Sequence, residues 1–232
     1  RALKIGTAFK PQEYLITFLP DTLVLMGRDA QLDDQTGTAG RPQRAAGKFG
    51  GALKFDGAKS VLSVPDCPFD DAAGSLEAWV WLPAAAPAKP GTILRLDGHT
   101  PWTYHILQRD PKSGVISYTT YDGKRGYGVR SEPLAEGWHH LLATYDAKAG
   151  KMELYVDGKR AGAAEYVRTT CKGAALKIGG VKTDDLHATS NPFEGLIDDV
   201  RISKRARTPA AGCPQAPCAP DQDTVTLFHF DE

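Results

Sequence analysis

Apolar positions alternate with polar or aromatic ones over His140–Tyr145 and again over Met152–Val156, and the segment between them, Asp146–Lys151, carries Gly150 and two lysines. A period of two on both sides of a polar link predicts a β-hairpin with one buried face. The Asp157-Gly158 pair that follows predicts a tight turn, because glycine reaches positive φ without a steric cost. A third strand then returns through Ala161–Val167.

The same reading places strands at Ala2–Phe9, Tyr14–Leu19 and Asp21–Met26, and another over Gly50–Gly57 that ends in a turn and pairs with Ser60–Val64. Ser75–Leu82 puts Leu76, Ala78, Val80 and Leu82 on one face and Glu77, Trp79 and Trp81 on the other, so both faces are expected to be covered. Thr92–Leu96, Tyr104–Gln108, Val115–Tyr121, Tyr127–Arg130, Ala175–Ile178, Gly195–Ser203 and Thr224–Phe230 complete the set. Arg28–Lys48, with Asp29, Asp33, Asp34, Gly37, Gly40, Pro42 and Gly47, and the Pro- and Ala-rich Pro83–Pro90 read as loops. Short links between many strands favour antiparallel pairing. The expected fold is all-β, a two-sheet antiparallel β-sandwich. It forms a single domain over residues 1–232, with a core over about 21–230 and residues 1–20 as N-terminal extension strands.

An apolar strand between two aspartates occurs twice, at Asp21–Asp29 and at Asp223–Asp231. The echo lacks the regular period of a repeat architecture. It reads as equivalent edge strands, as the opening of a further module, or as chance.

Composition narrows the partners. Lys plus Arg equal Asp plus Glu at 28 each, so no net field draws nucleic acid or an acidic membrane. No apolar run approaches the ~20 residues needed to cross a bilayer. The start at Arg1 lacks the apolar centre of a signal peptide, so the chain is expected to be processed or part of something larger. Cys213 and Cys218 flank Pro-Gln-Ala-Pro, where a local disulfide would pin a loop, and that pairing leaves Cys67 with Cys171. Four free thiols in a reducing compartment is the competing reading, and zinc lacks a paired C-x-x-C spacing.

Several segments together resemble a known family. Gly47–Gly57 (GKFGGALKFDG), Ser75–Val80 (SLEAWV), Gly137–Gly158 and Phe193–Arg207 (FEGLIDDVRISKRAR) are similar to the laminin-G-like, concanavalin A-like jelly-roll domains of bacterial secreted proteins. The resemblance spans about Asp21 to Phe230 and implies a jelly roll. The family includes carbohydrate-binding and adhesive modules, and the wider fold also includes glucanases, lyases and lectins, so fold does not select a chemistry. In similar glucanases an Asp on a comparable strand helps hold a structural calcium with carbonyls of a Gly-containing segment. Carried over by motif, that implies Ca²⁺ at Asp198, the carbonyl near Gly50, and Asp29. Regular alternation along the Asp198 strand would put Asp198 with Leu196, Val200 and Ile202, where an unpaired carboxylate costs several kcal/mol. Oxygen ligands suit a hard cation. The alternative is that Asp198 accepts bonds from loop amides and Asp199 pairs with Arg201 or a neighbouring strand.

Aromatic rings recognise sugars through the C–H face of a pyranose while polar neighbours bond its hydroxyls. Trp102, Tyr104, Tyr121 and Tyr127, with Arg125, form the expected ligand-binding set, beside Tyr118, His99, His105, Arg109 and Asp122. Trp79, Trp81 and Trp138 read as packing residues. A retaining glycosidase needs two carboxylates about 5 Å apart, and jelly-roll glucanases often carry them as E-x-D-x-E on one strand. No such triplet occurs, and Glu77 stands alone in its strand. The expected function is a non-catalytic extracellular, cell-surface or periplasmic module that binds a glycan or a cell-surface protein. An interaction domain without a sugar site and a divergent polysaccharide hydrolase or lyase are the alternatives.

Overall fold

The computed structural model describes residues 12–13, 15–19, 22–26, 42–65, 67–84, 90–98, 102–110, 112–168, 173–181, 191–209 and 212–231. The strands are β1 (Gln12–Glu13), β2 (Leu15–Leu19), β3 (Thr22–Met26), β4 (Gln43–Ala46), β5 (Gly51–Asp56) and β6 (Leu62–Pro65). They continue as β7 (Ala73–Leu82), β8 (Gly91–Gly98), β9 (Thr103–Arg109), β10 (Val115–Asp122), β11 (Gly126–Pro133) and β12 (Gly137–Asp146). The chain closes with β13 (Lys151–Val156), β14 (Lys159–Glu165), β15 (Gly173–Ile178), β16 (Glu194–Ser203) and β17 (Thr224–Phe228). Among the described residues there is no helix.

A nine-stranded sheet runs β1-β17-β16-β7-β12-β13-β14, with β5 also on β16 and β4 on β5. A six-stranded sheet runs β11-β10-β9-β8-β15-β6, and β2 and β3 form a separate hairpin. Pairing is antiparallel except for β1 on β17. The two large sheets form the expected antiparallel jelly-roll sandwich. Leu76, Ala78, Val80 and Leu82 of β7 face Leu96, Leu107, Ile116 and Leu176 of the other sheet in one buried core, as the period-two reading requires.

The β12–β13 hairpin pairs Leu141 with Val156 through to Asp146 with Lys151. Asp157 at φ 51° and Gly158 at φ 77° make the next turn, and the left-handed geometry explains the Asp-Gly pair. β4 falls inside the segment expected to be a loop. Its Gln43–Ala46 has no apolar alternation, being held by pairing with β5 rather than by burial. Among the described residues the aspartate-flanked echo carries no architectural equivalence: β3 pairs with β2 in a separate hairpin, while β17 lies in the large sheet between β1 and β16. Ala2–Phe9 and Asp29 lie outside the described residues.

Candidate functional site

β16 changes partner halfway along its edge. Glu194–Ile197 pairs with β5, and Val200–Ser203 pairs with β17. Asp198 and Asp199 sit at the gap between the two partners, where the ladder also bulges against β7 and Asp199 takes φ 51°. Aspartate tolerates that left-handed geometry better than a β-branched residue would. The bulge corrects the expected alternation: Ile197, Val200 and Ile202 enter the core, whereas Asp198 lies opposite Trp79 on the sheet's outer face. An extra residue in a strand shifts everything beyond it by one face.

Carboxylates fill the gap that the broken ladder leaves. Asp198 Oδ2 accepts the Lys48 and Phe49 amides at 2.9 and 3.0 Å, and Asp199 Oδ2 accepts the Cys218 amide at 2.7 Å. His229 Nδ1 lies 2.7 Å from Asp199 Oδ1, and Asp231 Oδ1 accepts the Gly51 amide at 2.8 Å. Gly50, at φ 81°, is required here, since a Cβ would sit 2.1 Å from Asp231 Oδ1. Arg44 donates to the Asp231 carbonyl. Asp199 therefore pairs with His229, not with Arg201. Asp198 Oδ1 is buried and has no hydrogen-bond partner among the described residues. Burial, with a contribution from the Asp199 charge, pushes the Asp198 carboxyl up to about 7 against the pull of the loop amides. A hollow of about 830 Å³ adjoins this junction, lined in part by Arg44, Phe49, Gly50, Pro217 and Asp231.

Glu77 has a structural task. Arg201 Nε lies 2.8 Å from its Oε2, with Nη2 at 2.5 Å, and His140 Nε2 lies 2.9 Å from its Oε1. Burial alone would raise this carboxyl, but the His140 hydrogen bond and the Arg201 charge outweigh it and hold it below the ordinary value. Trp79 packs beside it, against Phe49 at 5.6 Å and His140 at 5.3 Å, and Trp81 meets Trp138 edge-on at 6.0 Å. The three tryptophans are packing residues, as expected.

On the outer face of the six-stranded sheet, Asp97, Tyr104 and Tyr121 are cross-strand neighbours on β8, β9 and β10. The Tyr104 and Tyr121 rings stack with centroids 5.6 Å apart and planes 24° apart, and the Arg95 guanidinium lies 4.3 Å from the Tyr104 centroid. Asp97 orients the arrangement, with Oδ1 accepting from Arg95 Nε at 2.6 Å and Oδ2 lying 3.3 Å from Lys177 Nζ. Both tyrosines remain partly exposed. This is an ordered tier of cation, ring and ring on a polar sheet face, which is the equipment for holding a flat apolar surface edged with hydroxyls.

The other expected ligand residues have varied surroundings. Tyr127 pairs with Thr120, and its side chain packs against the core. Tyr118 is fully buried with its hydroxyl 2.9 Å from His105 Nδ1, and burial drives the His105 imidazole down to about 3. Buried Arg109 donates to the Pro83 carbonyl. Asp122 Oδ1 accepts the Lys124 and Arg125 amides, so this part of the set forms a turn, on which Arg125 is exposed. Trp102 stands at the start of β9 at φ 65° with 51% of its surface exposed. His99 lies outside the described residues. Arg95, Asp97 and Lys177 were not singled out from the sequence. The alternation Leu94-Arg95-Leu96-Asp97 shows a polar face, but only the strand register brings it to Tyr104.

The expected cysteine bridge is not formed. Cys213 and Cys218 are free thiols. The Cys218 amide is tied to Asp199, and Cys213 Sγ faces Asp157 Oδ1 at 3.8 Å. Cys67 is free and buried, and Cys171 lies outside the described residues.

The profile of a family described as the concanavalin A-like lectin/glucanases superfamily matches residues 56–211, more than half of the chain. No curated protein matches the chain. Among solved structures, domain 4 of AbnA, an extracellular arabinanase of Geobacillus stearothermophilus in complex with arabinotriose, is 23% identical with a TM-score of 0.57, over 73% of this chain and 78% of that one. The mouse laminin alpha1 chain domains LG4-5 are 16% identical with a TM-score of 0.51, and 78% of this chain spans only 50% of that one. A heptameric SAP-like pentraxin of Limulus polyphemus is 14% identical with a TM-score of 0.52, over 68% of this chain and 77% of that one. At these identities the likeness is one of fold.

Proposed function

We propose that this chain, which belongs to the concanavalin A-like lectin/glucanases superfamily, is a non-catalytic extracellular carbohydrate-binding module braced by calcium. The observation that carries the reading is the Arg95–Tyr104–Tyr121 tier, fixed by Asp97 and Lys177 on the outer face of the six-stranded sheet. An aromatic platform ordered by charged neighbours presents a rigid apolar surface beside hydrogen-bonding groups, which suits a pyranose. The arabinotriose held by the Geobacillus domain, itself part of an extracellular enzyme, supports the ligand class and the location.

One observation supports a hard cation at the β5–β17 junction, where among the described residues no group of three or more His, Cys, Asp or Glu side chains is gathered. Among the described residues Asp198 Oδ1 is buried without a hydrogen-bond partner, while Oδ2 is held by the Lys48 and Phe49 amides of the Gly47–Gly51 loop. Asp198 and the carbonyl near Gly50 would hold the ion, with Asp29 as a further ligand, and its charge would compensate the buried carboxylate. A brace of this kind orders loops and takes no part in chemistry. The non-catalytic reading is supported by Glu77, whose two oxygens are engaged by His140 and Arg201. A glycan array on the purified protein tests the proposal. Saccharide binding is expected, with turnover of none of the bound glycans; an array without binding favours an interaction domain, and turnover favours the enzyme.

A further inference from the structure

The strand order β8-β9-β10-β11 limits which ring can receive a ligand. Tyr104 on β9 carries the Arg95 guanidinium on its β8 side and the Tyr121 ring on its β10 side, so both of its faces are occupied. Among the described residues the ring contact of Tyr121 is the one with Tyr104, and its side chain is partly exposed. Its other face looks across to β11, where its cross-strand partner is Gly126.

Gly126 is followed on the same face by Gly128, opposite Thr119, and then by Arg130, opposite Ser117. Position 126 does not need glycine for its backbone or its packing. A Cβ there would make only ordinary contacts, the nearest at 3.7 Å to Tyr121 Cδ2. A β-branched or aromatic residue opposite Tyr121 would strengthen the strand pair, so glycine at that point forgoes stability. Gly126 opens β11 after the Asp122–Arg125 turn, and Gly128 lies within the strand, where glycine marks a bulge, a bend or a place where a ligand or another backbone comes close. β11 is the edge of its sheet, where β14 of the other sheet packs against Val129, and Gly126 and Gly128 are exposed as a strip on its outer face.

Four residues along an extended strand cover about 14 Å, so exposed Arg130 stands on the same face about 14 Å along β11 from Gly126. Asp110 lies close enough to feel the Arg130 charge, but its Oδ1 is occupied by the Lys112 and Ser113 amides and the Ser113 hydroxyl. A guanidinium exposed at the end of such a strip is suited to a carboxylate or sulfate.

We infer that the bound glycan stacks on the open face of Tyr121 above Gly126 and Gly128, and that it is an acidic saccharide whose anionic group meets Arg130. The inference rests on the carbohydrate-binding reading above. An array pairing carboxylated and sulfated glycans with neutral counterparts selects the best saccharide, and titration calorimetry then compares variants on it. The selected glycan is acidic. Gly126→Leu, whose side chain fills the strip while its Cβ fits the existing backbone, loses at least about tenfold in affinity, as does Tyr121→Ala. Arg130→Gln loses about tenfold together with most of the dependence on salt concentration. Unchanged melting of Gly126→Leu confirms that the loss is local. Preference for a neutral glycan, or wild-type affinity in Gly126→Leu or Arg130→Gln, overturns this inference while the carbohydrate-binding reading stands. An array on which the wild type binds nothing overturns both.

Discussion

Arg201 and Glu77 meet across neighbouring strands of the large sheet through two guanidinium nitrogens on one carboxylate oxygen, and both side chains are largely withdrawn from water. His140 takes the remaining oxygen at 2.9 Å. Removing one partner of a buried pair leaves the other charge uncompensated, which costs about 3–5 kcal/mol. Glu77→Ala is therefore expected to lose stability of that order in urea denaturation. The folded fraction keeps wild-type glycan affinity, because the tier at Tyr104 lies on the other sheet. Loss of affinity at unchanged stability would move Glu77 from the scaffold into the ligand site.

Different parts of this molecule were legible in the sequence to different degrees. Strand alternation sufficed for β7, β12 and β13, where one face is apolar and the pleat is regular. It failed at Asp198, where an extra residue shifts the face, because a bulge leaves no periodic trace. The motif IDDVRI lies at the β5–β17 junction, and Asp198 Oδ2 accepts the loop amides named as the alternative to calcium. Tyr104 and Tyr121 were legible as aromatics on strands, but their stacking depends on the register of β9 with β10, which only the assembled sheet defines. Tyr127, expected among the ligand residues, pairs with Thr120 and packs toward the core, which again only the register defines.

His105 lies fully inside the sandwich, tilted against Tyr145 with ring centroids 4.3 Å apart. Burial lowers its folded pKa to about 3 from an ordinary 6.5. Between those values the unfolded chain binds a proton that the folded chain refuses, so stability is complete above about pH 6.5 and declines as pH falls toward 3. The midpoint of urea unfolding should fall between pH 7 and pH 5 in the wild type and fall less in His105→Gln, whose amide does not titrate. An equal fall in both proteins would place the proton uptake elsewhere.

Cys67 is wholly buried, and burial pushes its thiol up to about 12. The thiolate is the reactive form and is scarce at neutral pH under that condition. Iodoacetamide applied to the native protein at pH 7.5 should leave Cys67 unmodified and label it fully in denaturant, as read by peptide mass. Cys213 and Cys218 are partly exposed, and without prior reduction the denatured chain should show both alkylated singly. Recovery of a peptide linking Cys213 to Cys218 would restore the bridge expected from their spacing.

Asp198 gives the sharpest test of the calcium brace, because the unligated and ligated states predict opposite signs for one substitution. Without calcium at pH 8, above the raised value of about 7, the buried carboxylate is ionised with Oδ1 unpartnered, so the charge opposes folding. Asp198→Asn keeps an oxygen for the Lys48 and Phe49 amides and removes that charge, so the chelator-treated variant should melt at or above the wild type. Adding calcium reverses the order. An ion present at about 100 times its Kd stabilises the folded state by about 2.7 kcal/mol, which for a chain of this size raises Tm by about 5–10 °C. The wild type should gain that increment and Asp198→Asn should not, since its neutral amide is a much poorer calcium ligand. Equal melting curves of the wild type with and without calcium, together with no heat of binding by calorimetry, would remove the ion from the account. The Asp198 carboxyl would then be held at the β5–β17 junction by loop amides alone.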